Sequence, residues 1–290
     1  MWSGLLCTWI RRMPEAGSVE LKLHPFDVSS GTGIDRNFQG QGQCRERKPN
    51  ILRGENMAFA DLRSSLRSLA DPDRAEHSQR FFKTGKGEYG EGDRFLGIRV
   101  PLLRKEAKKH RDISLGEAER LLKSPLHEER LCALFLLVDK FGRGSEDERK
   151  DIYRLYLRNT RVINNWDLVD SSAEHIVGKY LEDKDKQQLY VLADSENLWE
   201  RRIAVLATFH FIKKDRFHET LALAKHLLND REDLIHKAVG WMLREIGNRD
   251  ADAEKSFLKK QYKRMPRTML RYAIEKFPEE ERKSYLRGDV

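Results

Sequence analysis

Between residues 126 and 265 the chain has no proline and only five glycines. So long a run without backbone punctuation constrains the fold to helix after helix with short connections. Apolar residues recur at spacings of three and four, as in Leu62, Leu66, Leu69 and again in Ile152, Leu155, Tyr156, the period of helices with one buried face. Capping-box pairs at Ser114/Glu117, Ser145/Glu148 and Asn229/Glu232 predict three helix starts. No stretch carries the alternation of a strand. The longest unbroken apolar run, Leu131–Val138, is eight residues, well short of the ~20 that a bilayer span needs.

The helices repeat. Glu129–Val138, Arg201–Phe209 and His236–Leu243 each open with charged residues and continue as a wide apolar face. Leu131 and Ile203 are 72 residues apart, twice 36, and Ile203 and Ala238 are 35 apart. The missing middle copy falls near Asp167, in a helix expected around Asn165–Asp170. A period near 36 built from helix pairs points to an all-α fold, a right-handed α-α superhelix of the HEAT or armadillo kind. Such a solenoid presents one concave face to something long: a peptide, a protein or a nucleic acid.

Residues 1–56 differ from the rest. They hold seven of the 19 glycines, three of the eight prolines and two of the three cysteines. The short apolar stretch Trp2–Ile10 is followed, not preceded, by Arg11 and Arg12, the reverse of a secretory signal. Glu15, Glu20, Asp27 and Asp35 count against a transit peptide. The segment reads as a disordered tail or an over-long gene start, with Met57 as a natural initiator, and residues 57–290 as the solenoid domain. Three cysteines, Cys7, Cys44 and Cys132, make no disulfide framework and favour a reducing compartment. Cytoplasmic placement follows, at the nucleoid if the source is bacterial.

The net charge is +8, 55 basic against 47 acidic residues. Lys255, Lys259, Lys260, Lys263, Arg264, Arg267, Arg271 and Lys276, opposed only by Glu275, put +7 into 22 residues, with Tyr262 and Tyr272 interleaved. One-sided charge of that density suits phosphate binding with counterion release. Gly85–Gly90 matches G-x-G-x-x-G, but it follows a helical segment rather than a strand, so a dinucleotide site is not expected. It is read as a connecting loop, or as one whose amides, with Lys83, Lys86 and Arg94, touch phosphates. No metal-ligand spacing occurs, and no cofactor is implied. Cys132, within an apolar helix face, is read as packing.

Three tryptophans lie beyond the tail: Trp166, Trp199 and Trp241. Each has an ionisable residue three or four positions on, which places both on one helix face: Trp166 with Asp170, Trp199 with Arg202, Trp241 with Arg244 and Glu245. A lone tryptophan on a helix is usually core. Repeated presentation of indole with charge favours a cleft. Asp170 reads either as a cap or an ion-pair partner of an arginine such as Arg202, or as a carboxylate in an aromatic pocket.

Phe95–Pro101, Asn165–Asp170, Leu198–Arg202 and Lys237–Glu245, in this order and spacing, resemble the AlkD-type DNA alkylation repair family over roughly residues 58–280. Its members are DNA glycosylases built of HEAT-like repeats. The resemblance implies base excision repair: release of cationic alkylated purines, N3-methyladenine and N7-methylguanine, from duplex DNA by a monofunctional hydrolase acting on the N-glycosyl bond. It implies Asp170 as the catalytic aspartate, with Trp166, Trp241 and Arg202 in the active site, Arg202 on a phosphate near the lesion. Arg244, Lys259, Lys263, Arg264, Arg267 and Arg271 are the candidate DNA contacts, and a monomer suits a groove that admits duplex DNA. Two positions depart from the family: Phe81 stands where a hydroxyl-bearing aromatic is expected, and Asn165 where a second tryptophan is. A DNA-binding solenoid without catalysis, or a protein-binding scaffold, are the alternatives.

Overall fold

The computed structural model describes residues 51–290, with side chains from Met57 onward. Helix α1 (Ile51–Ser68) begins six residues before Met57, so helix reaches into the segment that composition sets aside; the rest of that segment lies outside the described residues. There follow α2 (Pro72–Phe81), α3 (Val100–Lys109), α4 (Leu115–Leu122), α5 (His127–Arg143), α6 (Glu146–Arg158) and the short α7 (Trp166–Asp170). After a π-helical turn at Glu174–Gly178 come α8 (Gln187–Ala193), α9 (Leu198–Ala207), α10 (Phe209–Ile212) and α11 (His218–His226). Helices α12 (Asp233–Gly247), α13 (Ala251–Gln261), α14 (Arg267–Ala273) and α15 (Glu279–Arg287) complete the chain. Among the described residues there is no strand, only an isolated bridge between Arg94 and Leu126. The fold is an all-α solenoid. No described helix is long and apolar enough to cross a membrane.

Local chemistry explains most boundaries. Ser114 and Ser145 both form complete capping boxes, with Glu117 and Glu148. Pro72 and Pro101 occupy first turns, where a missing N–H is harmless. The third expected box does not form. Helix α12 starts at Asp233, after Glu232, which makes no side-chain cap. Asp230 intervenes: its carboxylate takes the Glu232 N–H at 2.8 Å and the Arg201 guanidinium at 2.7 Å.

The three apolar segments lie on α5, α9 and α12, and their inner faces form the core: Leu131–Leu137, Ile203–Ala207 and Ala238–Leu243 are all buried. Cys132 is among them, its thiol pushed up to about 12 by burial. The middle copy is not one long helix. Asn165 caps a five-residue helix, the Ser172 hydroxyl donates to the Leu168 carbonyl at 2.6 Å, and the backbone then widens into the π turn. Polar bridges reach from one repeat to the next. Arg158 pairs with Glu119 at 2.7 Å, Thr160 donates to Glu200 at 2.6 Å and Lys213 pairs with Glu174 at 2.6 Å, across 39, 40 and 39 residues.

Close approach between repeats uses glycine twice at one spacing. A Cβ on Gly178 would lie 2.1 Å from the Ala207 carbonyl oxygen, and one on Gly240 would lie 2.4 Å from that of Met269. Each glycine therefore admits a backbone 29 residues further on. Helix propensity alone favours alanine over glycine by about 1 kcal/mol. The clash with backbone reverses that sign, so Gly240→Ala is expected to destabilise by about 1–3 kcal/mol, read as a lower melting temperature by thermal unfolding.

Candidate active site

The first turn of α5 buries four ionisable side chains in succession: His127, Glu128, Glu129 and Arg130, each 5% exposed or less. Each holds a different part of the chain. Glu128 accepts the backbone N–H groups of Leu96, Gly97 and Ile98 at 2.8, 2.8 and 3.2 Å. Glu129 accepts from Arg63 on α1 at 3.1 Å and from the Ser124 hydroxyl at 2.6 Å. Arg130 donates to Asp93 at 2.8 Å and to the Asn164 side chain at 3.2 Å. His127 lies between two carboxylates, with Asp93 at 2.7 Å on Nδ1 and Asp167 at 2.7 Å on Nε2. Burial works to lower the His127 pKa, but Asp167 and Asp93 outweigh it and raise it to about 9. The imidazole is therefore charged at neutral pH and donates from both nitrogens. Burial also works to raise Asp93, but His127 and Arg130 hold it below the usual aspartate range.

Asp93 ends the glycine-rich loop. The glycine amides of that loop are not free to cradle a phosphate, because they are already bonded. Gly85 N–H donates to Glu88 and Gly87 N–H to Glu91, both at 2.8 Å, while Gly90 and Gly92 donate to the carbonyls of Lys83 and Thr84. Gly87 and Gly92 each have φ of +78°, and a Cβ on Gly90 would lie 2.5 Å from the Phe82 carbonyl. The loop is a self-capped rigid turn fixed to α5 by its last residue.

Rings stack outward from the charged histidine. His127 stacks on Phe95 at 4.4 Å, Phe95 on Phe82 at 4.9 Å, and Phe82 on Trp166 at 5.1 Å. Phe81 meets Trp166 edge-on at 6.1 Å. Trp166, half-buried, is the first residue of α7. Asn165 is fully buried and caps that helix, its Oδ1 accepting the Trp166 N–H at 2.9 Å, a task that an indole cannot perform. Phe81 brings no hydroxyl to the cluster. One comes instead from Tyr89 on the loop, which lies near Trp166 and packs edge-on against Trp199 at 6.0 Å.

Asp170 ends α7 and faces Arg202 of α9. Arg202 Nε and Nη2 donate to its two oxygens, both at 2.8 Å, and Nη1 donates to the Leu234 carbonyl at 2.6 Å. The two side chains are 1% and 3% exposed. Burial raises the Asp170 pKa, Arg202 opposes the rise, and the neighbouring Asp167 adds to it. Arg202 thus holds the carboxylate and a backbone carbonyl, which corrects the expectation that its guanidinium is displayed toward a phosphate.

Trp241 is buried on α12. Its indole donates to Glu245 at 2.9 Å and packs near Phe209 at 5.9 Å, so it engages these residues rather than the Asp170–Arg202 pair. It lies two turns, about 10 Å of helix, beyond Leu234. Arg244 is also corrected as a surface contact: it is 5% exposed and pairs with Glu275. Lys259, Lys263, Arg264, Arg267 and Arg271 are exposed, as are Lys260 and Lys276. Arg267 donates to the Leu286 carbonyl at 2.7 Å, and Lys255 pairs with Glu281 at 2.8 Å. Among the described residues no carboxylate forms an ion pair with Lys259, Lys263, Arg264 or Arg271, and no group of side chains could hold a metal ion. Asp93, His127, Asp167 and Tyr89 were not singled out from the sequence. One signal was present: four ionisable residues opening the helix with the longest apolar run must find buried partners.

The fold and site define a class, an all-α repeat protein with a buried aspartate–arginine pair beside a half-exposed tryptophan. Residues 62–277 match the family described as DNA alkylation repair enzymes, and the chain belongs to it. A predicted DNA alkylation repair enzyme from Enterococcus faecalis has a similar structure, with a TM-score of 0.57 and 17% identity over 72% of this chain and 97% of that one. AlkD2 from Streptococcus mutans gives 0.47 and 18% identity over 78% and 99%. The smu.31 protein from Streptococcus mutans UA159 gives 0.44 and 17% identity over 79% and 99%. No curated protein matches the chain.

The raised His127 pKa carries a stability signature. A group raised on folding contributes fully below its unfolded value, about 6.5, and its contribution is lost as pH rises through about 9. Buried Glu254, raised to about 8 by burial, also makes stability fall with pH. The readout is therefore a difference between two proteins. Subtracting the unfolding free energy of His127→Gln from that of wild type, across pH 6 to 10, is expected to give a gap that shrinks by roughly 3 kcal/mol. A constant gap would show that His127 carries no pH-dependent stabilisation.

Proposed function

We propose that the protein is a monofunctional glycosylase that releases cationic alkylated purines, such as N3-methyladenine and N7-methylguanine, from duplex DNA. Membership of the DNA alkylation repair family supports a role in repairing such damage. The observation that carries the finer reading is the buried Asp170 carboxylate, fixed by Arg202 at 2.8 Å on both oxygens, on the short helix that presents Trp166.

The chemistry suits that arrangement. A purine alkylated on a ring nitrogen is itself a cation and leaves as the neutral base without being protonated, so no general acid is needed. As the N-glycosidic bond breaks, positive charge develops on the sugar. A carboxylate in a water-poor site stabilises that charge strongly, because the field is little screened. A carboxylate has about four lone-pair sites. Arg202 uses two, which leaves acceptors for the attacking water. The open part of Trp166 offers a π surface to the cationic base, worth about 0.5–2 kcal/mol. The exposed cations from Lys259 to Arg271 supply the phosphate contacts that hold the duplex. They alone support a second reading, a DNA-binding solenoid without catalysis, which needs no Asp170.

Incubation with methylated duplex DNA, followed by measurement of free methylpurine, separates the two. Asp170→Asn is expected to lower the release rate by roughly 100- to 1,000-fold while duplex binding is retained. Release unchanged in Asp170→Asn, or none by wild type, overturns the glycosylase reading. Because the raised Asp170 must be ionised to act, the rate of the wild-type protein is expected to fall on acidification at a pH above the ordinary aspartate range. A pH–rate profile measured with single-turnover kinetics checks this.

A further inference from the structure

We infer that Tyr89, carried on the rigid glycine loop, is a DNA-contacting residue whose hydroxyl donates a hydrogen bond to a backbone phosphate beside the Asp170 site. The inference rests on the reading that the ligand is duplex DNA, and it goes beyond it by adding a residue and an element to the contact surface.

Three observations carry it. The first is position. The ring rests edge-on against Trp199 at 6.0 Å, a Cβ on the next residue, Gly90, would lie 3.4 Å from the Asn165 side chain, and the hydroxyl is near enough to Trp166, Asp167 and Arg202 for all three to act on it. The loop thus brings a phenol onto the two segments that hold Trp166 and the Asp170–Arg202 pair. The second is hydrogen-bond capacity. A phenol has one proton to give as well as lone pairs to accept. Among the described residues no group accepts the Tyr89 proton. The side chain is half-buried. Burial pushes the phenol further above its ordinary value, so it remains a donor throughout the neutral range.

The third observation is the stiffness of the support. The loop uses its acidic side chains internally, Glu88 and Glu91 each closing on a glycine amide at 2.8 Å. Asp93 then anchors it to His127 and Arg130 at 2.7 and 2.8 Å. A donor held by a fixed turn is preorganised for an anion and loses little freedom on binding. Lys86 on the same turn is exposed and, among the described residues, in no ion pair, which adds attraction for a phosphate.

The test is Tyr89→Phe, which keeps the ring on Trp199 and removes only the hydroxyl. Two duplexes serve as probes: one with a tetrahydrofuran abasic-site analogue, and the undamaged duplex of the same sequence. Binding is measured at a fixed salt concentration, with the melting temperature of both proteins. The expected result is a dissociation constant raised roughly three- to tenfold on the abasic-analogue duplex, a smaller change on the undamaged duplex and an unchanged melting temperature. Equal binding by the two proteins overturns the inference. So does weaker binding accompanied by a lower melting temperature, which assigns the effect to packing, or a wild-type protein that binds neither duplex. If wild type binds but releases no methylpurine, the glycosylase reading falls, and the Tyr89 inference is still decided by the binding ratio.

Discussion

The site depends on one constraint, the burial of a charged turn at the start of α5. His127, Glu128, Glu129 and Arg130 open a helix whose next seven residues are all buried. None of the four can reach water, and an unpaired charge there would cost several kcal/mol. Each is therefore obliged to draw in a partner from a different part of the chain. Glu128 fixes the entry to α3, Glu129 fixes α1, Arg130 fixes the end of the glycine loop, and His127 joins that loop to α7. The charges of His127 and Arg130 balance those of Asp93 and Asp167, which is what makes the arrangement tolerable in a low dielectric. Ion pairs of this kind contribute little net stability compared with apolar packing. What they contribute is geometry, since each bond admits one distance and one direction.

That geometry is passed to Trp166 and Asp170 through a helix of only five residues. Helix α7 is too short to be stable by itself, and it is held at both ends. Asn165 caps its start, His127 grips Asp167, and Arg202 grips Asp170. Trp166 and Asp170, four residues apart, are thereby fixed relative to one another by α5 on one side and α9 on the other. The stack from His127 through Phe95 and Phe82 carries the same positioning to the indole. Phe81 and Asn165 fit this scheme. One packs against Trp166 and the other caps its helix, so both support the same tryptophan.

How much was legible beforehand follows from range. The all-α class, the period near 36, two capping boxes and the proximity of Trp166 to Asp170 are local or periodic features, and each was written in the spacing of residues. Asp170 was singled out with Arg202 as one of two readings, because both sat on tryptophan-bearing segments. The network of Asp93, His127 and Asp167 was not legible, because its members lie 34 and 40 residues apart and no pattern in one sequence pairs them. The same applies to Arg244. It looks like a surface cation beside a basic run until Glu275, 31 residues on, claims it. The glycine loop is the connecting loop that its helical setting implied; of its two readings, the one with amides on phosphates fails because Glu88 and Glu91 occupy the amides of Gly85 and Gly87.

The basic run gains meaning from the helix on which it rests. Helix α14, which carries Arg267 and Arg271, packs on α12 so closely that Gly240 has no room for a side chain against Met269 and Tyr272. Thr268 on α14 also lies near Asp233 at the start of α12 and helps to hold its pKa down. The carbonyl of Leu234, the next residue, is the third acceptor for Arg202. One helix therefore supports the exposed cations through its contact with α14 and anchors the guanidinium that holds Asp170. In a repeat architecture each unit touches mainly its neighbours, so exposed cations and a buried carboxylate on different repeats stay in register only through such a shared helix. The weak overall charge of the chain is thus less informative than where its free cations sit: on the repeat next to α12, within one packing layer of the buried pair.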